Sequence, residues 1–168
     1  MKKMALFAVF LVFFSCDDGN LQIEGINFDS STIQFCTSPT TTSNNVLFKI
    51  NEDEALILDL QSGVLLNQAT TDTIVSTVPG QSTLTYRIFS DNVSTNYFCD
   101  DIPPTTPTVV EEIVAEGGEV LITTLRSETD TTMYEHTIRL RSISLVNTIG
   151  ERITDLTIDE FGTVTTQE

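Results

Sequence analysis

Three cysteines, one histidine and a large surplus of carboxylates are the residues in this chain that could do chemistry. Cys16 closes a short apolar run, stands directly after a small residue, Ser15, and precedes Asp17-Asp18. A cysteine thiol can be acylated, and acyl chains hold a protein to a bilayer by burying methylenes at about 0.8 kcal/mol each. Cys36 and Cys99 are the two remaining thiols. Behind an export leader, two such cysteines are expected to form a disulfide rather than a metal or catalytic site. Closing a loop of that length stabilises a fold by about 4 kcal/mol in the chain-entropy model. Two buried free thiols are the alternative.

His136 shares one face of an alternating pattern with Tyr134, Ile138 and Leu140, the setting of a hydrogen-bonded, partly buried histidine. No G-x-S-x-G elbow accompanies it, and one histidine beside a paired disulfide leaves no His/Cys zinc set. Catalytic residues, metal ligands and cofactors are therefore expected to be none. Carboxylates run together at Glu52-Asp53-Glu54, Asp100-Asp101, Glu111-Glu112 and Asp159-Glu160. Glycoside hydrolysis needs two of them facing across a cleft, and neighbours along a strand point to opposite faces. Asn51–Glu54 gathers oxygen ligands for calcium without the spacing of an EF-hand loop, so weak divalent-cation binding is the most that the acids imply. Phosphate-cradling glycine loops and dinucleotide fingerprints are absent.

Lys2 and Lys3 followed by apolar Met4–Phe14 have the layout of a secretory signal. The run is far shorter than the roughly 20 residues of a membrane-spanning helix. With Phe13-Phe14-Ser15-Cys16 at its end, the leader resembles a bacterial lipoprotein signal, in the looser form of Bacteroidetes such as Flavobacteria. The resemblance implies a signal peptide over 1–15, lipidation of Cys16, and an anchor with a short tether over 16–20. Asp17 and Asp18 resemble the acidic export tag of surface lipoproteins in those bacteria, which implies an outer-membrane protein on the cell surface; the periplasmic face is the alternative. In enteric bacteria, aspartate at that place resembles an inner-membrane retention mark. An ordinary cleaved signal, with Cys16 merely an early thiol, is the competing interpretation. Asp72-Thr73-Ile74 and Asp130-Thr131-Thr132 resemble the O-glycosylation triplets of the same bacteria, which implies sugar on Thr73 and Thr131.

Removing Lys2 and Lys3 with the leader takes the formal charge from −16 to −18, since every acidic residue lies after Cys16. Nucleic acid and anionic lipid both require positive charge in a partner. Neither is expected to bind, and the membrane is a partner through the anchor alone. Most of the acids form a solvated face.

Residues 21–168 suffice for one domain with a real core. Threonine and valine favour pleated surfaces. Alternation predicts strands at Leu21–Phe28, with a bulge at Gly25, at Ile33–Phe35 and at Val46–Ile50. Ala55–Leu60 is a near-continuous apolar run, predicting a central strand buried on both faces. Val64–Leu66 restarts the pattern after a turn. Leu84, Tyr86 and Ile88 share one face after the Pro79-Gly80 turn, and Ser90–Tyr97 suits a short helical turn or a loop. Gly117-Gly118 predicts a hairpin between Val109–Ala115 and Glu119–Leu125. Met133–Val146 changes phase near Ser142, predicting a bulge or bend. A last strand or two follows from Ile153, broken at Phe161-Gly162.

Many short strands with turns between predict an all-β protein, a β-sandwich of immunoglobulin-like or jelly-roll-like kind; strand order does not follow from the pattern. Ser31–Cys36 and Ser94–Cys99 share S-T-x-x-F-C, which is either an old duplication or chance in a chain rich in serine and threonine. The expected role is a non-catalytic binding or structural module of the cell envelope. A polysaccharide hydrolase using carboxylates is the alternative.

Overall fold

The computed structural model describes residues 26–147, 150, 152–153 and 159–168. The leader, Cys16, Asp17, Asp18 and most of the first expected strand lie outside the described residues. Among the described residues, eight strands and one helix follow in order: β1 Asn45–Asn51, β2 Glu54–Leu60, β3 Ile74–Val78, β4 Thr83–Phe89, α1 Thr95–Cys99, β5 Val109–Arg126, β6 Met133–Val146, β7 Arg152–Ile153 and β8 Glu160–Gln167. Every strand pairing is antiparallel, running β1-β2-β4-β5-β6, with β3 also on β5 and both β7 and β8 on β6. The class is all-β as expected, and the strands form one curled sheet, a half-barrel.

The run through Ala55–Leu60 does become a central strand, flanked by β1 and β4. Its even positions, Leu56, Leu58 and Leu60, enter the main core with Leu47, Leu84, Tyr86, Val120, Ile122, Ile138 and Leu140. Ala55 and Ile57 point the other way, into a smaller cluster with Ile50, Phe89 and Val93. Helix α1 covers that outer face: Phe98 stacks on Phe48 at 4.4 Å between ring centres, and Tyr97 meets Phe89 edge-on at 4.9 Å. Aromatic pairs of this kind contribute about 1 kcal/mol beyond their buried area. The Cys36–Cys99 disulfide, with Cα atoms 5.1 Å apart, ties the end of α1 to the segment that precedes β1.

The hairpin expected at Gly117-Gly118 does not form. A single 18-residue strand, β5, runs straight through both glycines. Its first part pairs with β4, its second with β3, and β6 lies along its other edge from Ala115 to Arg126. The glycines bend the chain without reversing it. Register shifts fall on either side of Gly117, and Gly118 takes a φ of +126°. Opposite them β6 has its own kink, Ser142 at a φ of +54°, as its phase change predicts. Any Cβ on Gly118 would stand 2.8 Å from the Cα of Ile143, so only glycine lets the two bends pack. This double bulge is what curls the sheet.

Two further expectations are corrected. Val64 and Leu65 form no strand; they plug the main core from the β2–β3 connection. Phe161-Gly162 does not break the last strand but lies within β8, where Gly162 at a φ of +134° carries a register shift. The two S-T-x-x-F-C segments are also unlike in structure. Around Gln34 the chain is extended and bridges to Phe48, whereas its counterpart is α1. The echo is not a structural repeat.

Candidate functional site

Strand β1 begins one end of the curled sheet and β8 lies at the other, and the segment from Ile26 to Phe35 fills the seam between them. Hydrogen bonds fix that segment to β1: Ser31 Oγ donates to the Ile50 carbonyl at 2.7 Å, and Asn51 Nδ2 donates to the Asn27 carbonyl at 3.1 Å. Ile26 and Phe28 anchor it in the main core. On the β8 side Ile33 lies so close to Gly162 that a Cβ there would stand 2.8 Å from its Cδ1.

At this seam a cleft of about 500 Å³ opens, lined by Asp29, Ser31, Thr32, Ile33, Lys49 and residues 160–163 of β8. Lys49 is its distinctive group. Alternation along β1 sends Val46, Phe48 and Ile50 outward, Phe48 lying beneath α1 and Val46 exposed, and Leu47 and Lys49 inward. The side chain ends only 5 % exposed. Its Nζ donates to the Phe28 carbonyl at 3.2 Å and stands 5.7 Å from the centre of the Phe161 ring. No ion pair to a described residue accompanies these contacts. Burial pushes its pKa below the ordinary lysine value, and the carboxylates of Asp29 and Glu160 oppose that shift. An ammonium has three donors, so Lys49 keeps hydrogen-bonding capacity beyond its bond to Phe28.

Sequence patterning singled out Glu160 only as one of an adjacent acidic pair, and passed over Asp29 and Lys49. Lys49 is the only lysine after the leader. A lone lysine in so acidic a chain, on the parity of Leu47, is the signal that could have found it.

The other residues named from the sequence fall elsewhere. Cys36 and Cys99 are bonded to each other. Beside them a second hollow of about 340 Å³ lies among Thr37, Ser43, Asn44, Val46, Phe48 and Phe98. Thr73 and Thr131 are both exposed, in the connections before β3 and before β6. The carboxylate runs are divided: Glu54 accepts from the Tyr86 hydroxyl at 2.6 Å, and Glu112 pairs with Arg87 at 2.5 Å. Among the described residues no three of His, Cys, Asp or Glu stand close enough together to hold a metal ion.

His136 is buried, as its neighbours on the strand imply, and hydrogen-bonded at both ring nitrogens. Thr166 donates its hydroxyl to Asn67 at 2.6 Å, so its oxygen accepts the Nε2 proton of His136 at 2.8 Å. Nδ1 is then the acceptor for Thr124 Oγ1 at 2.9 Å. Burial lowers the histidine pKa to about 4. Together with Thr70, which exchanges hydrogen bonds with the Thr124 backbone, the network pins the β2–β3 connection to the sheet. Its role is structural.

No protein-family model matches this chain, nor does any curated protein or solved structure.

Proposed function

We propose that this chain is a lipid-anchored protein of the cell envelope, held in the outer membrane through Cys16 and displayed on the cell surface, with a non-catalytic binding module as its body. The seam cleft is its ligand site. The observation that carries the binding role is Lys49: the only lysine after the leader is buried at the wall of an open cleft, with donors to spare and without an ion pair to any described residue. Burying an ammonium costs several kcal/mol unless something offsets it. A chain with five arginines and other exposed positions available has no structural need to place its lysine there. In this proposal the fold is a sandwich, with β1, β2 and β4 as one layer, β3, β6 and β8 as the other, and β5 passing between them. The anchor holds the periplasmic face in the alternative orientation.

A polysaccharide hydrolase is the second reading, favoured by Asp29 and Glu160 lining the same cleft. Release of new reducing ends from a polysaccharide, abolished by Glu160→Gln, would select it over binding alone.

Two measurements test the first reading. Protease added to intact cells should remove this chain while a periplasmic control survives; protection equal to the control would place it inside. Melting of the mature chain against neutral sugars, sugar acids, amino sugars and small carboxylic acids should show a stabilising ligand whose effect Glu160→Gln reduces. A panel with no effect would remove the cleft as a binding site.

A further inference from the structure

Resting on the cleft being a ligand site, we infer that its ligand is a neutral polyhydroxyl compound, a mono- or disaccharide unit without a carboxylate, phosphate or amine. Charge and the balance of donors and acceptors both point to this class. Asp29 and Glu160, both exposed at the cleft, offer acceptors only, while the ammonium of Lys49 offers donors only. Thr32 and Thr163 add hydroxyls that can serve in either sense, while Ser31, its proton given to the Ile50 carbonyl, adds an acceptor. An anionic ligand would satisfy Lys49 but face two carboxylates and a mature chain of formal charge −18, the leader's two lysines being subtracted from −16. A cationic ligand would suit the carboxylates but leave the buried ammonium against a like charge. Hydroxyl groups meet both demands, because each one donates to a carboxylate and accepts from the lysine.

Size and shape agree. The volume lies within the range of small-molecule sites and accommodates one or two sugar rings. Half-buried Ile33 supplies an apolar wall for the C–H face of a ring. The wall is held in place, since Ile33 sits against Gly162 where no side chain could fit between them. Charged groups oriented against hydroxyls also make the site selective, because losing one partner leaves a desolvated group unpaired.

The single lysine supplies the readout. In the lipidated full-length mature chain, kept in detergent, Lys49 is the one side-chain amine, so its acetylation is a single mass change. Maltose, cellobiose and xylobiose are the neutral probes; galacturonate and glucosamine are the charged ones. At least one neutral disaccharide should slow acetylation of Lys49 about tenfold once its concentration exceeds Kd about tenfold. Asp29→Asn and Glu160→Gln, isosteric changes at exposed positions, should each weaken that protection, measured against each variant's own acetylation rate without sugar. Protection by galacturonate or glucosamine exceeding that of every neutral sugar would overturn the neutral class while leaving the cleft a ligand site. Silence from the whole panel would overturn both. Protection that survives both substitutions would overturn the roles of the two carboxylates.

Discussion

Lys49 on β1 and Phe161 on β8 meet with ammonium and ring centre 5.7 Å apart, so the first and last strands of the curled sheet are joined through a buried charged group. The seam is therefore a place where ligand recognition and stability compete. Replacing Lys49 by methionine fills a similar volume, removes the cost of burying charge, and leaves the Phe28 carbonyl with the Ser31 N–H as its remaining donor. The two effects nearly offset, and K49M should unfold within about 1 kcal/mol of the native chain in urea at neutral pH. Lys49→Ala should cost about 2–4 kcal/mol through the cavity it leaves. The lowered folded-state pKa fixes the sign of the alkaline response. The unfolded chain binds the extra proton, so native stability rises with pH until it passes 10.5. K49M should lack that rise.

His136 governs the acid side. Its folded pKa of about 4 lies below the ordinary 6.5, so the unfolded chain takes up the proton first and stability falls as pH drops from 6.5 to 4. The loss attributable to this residue is about 3 kcal/mol across that window. Comparing urea unfolding of the native chain with His136→Gln at both ends of the window isolates it from the carboxylates. Parallel pH profiles for the two proteins would contradict the assignment.

At the double bulge, Gly118→Ala should destabilise by about 3 kcal/mol or more, because the added carbon meets the backbone of Ile143 at a φ closed to side chains. Gly63→Ala also takes up a positive φ but meets nothing within 4 Å, and should cost about 1 kcal/mol. Thermal unfolding of the two variants side by side checks the contrast. Equal losses would mean that the packing of the two bends is unimportant.

Reducing the Cys36–Cys99 bond, or replacing both cysteines by serine, should cost about 4 kcal/mol, from the 63-residue separation that it closes. It should also loosen α1 from the outer face, read as faster amide exchange at Tyr97 and Phe98. Protection unchanged at those amides would show that the aromatic stacking on Phe48 holds α1 alone.

Much of the strand pattern was legible from alternation, because side chains on a strand repeat every second residue. Leu84, Tyr86 and Ile88 are on the core side as expected, and the phase change at Ser142 coincides with its positive φ. Gly117-Gly118 misled because two glycines permit either a reversal or a bend. The choice belongs to β4, β3 and β6, all distant in sequence. The cleft was not legible for the same reason: Asp29, Lys49 and Glu160 are brought together only when the curled sheet places β8 across from β1. Val46, Phe48 and Ile50 gave β1 one apolar face, and the pattern said nothing of Lys49 on the other. In fact that other face is the buried one, with Leu47 in the main core and Lys49 beside it, while α1 covers Phe48 on the outward face and leaves Val46 exposed.

Lipid on Cys16 is tested most directly at the amino terminus of the native protein, by its intact mass measured from envelope membranes. A mature chain beginning at Cys16, carrying acyl groups and partitioning with detergent, is the predicted result. An unacylated chain recovered from the aqueous phase would contradict it.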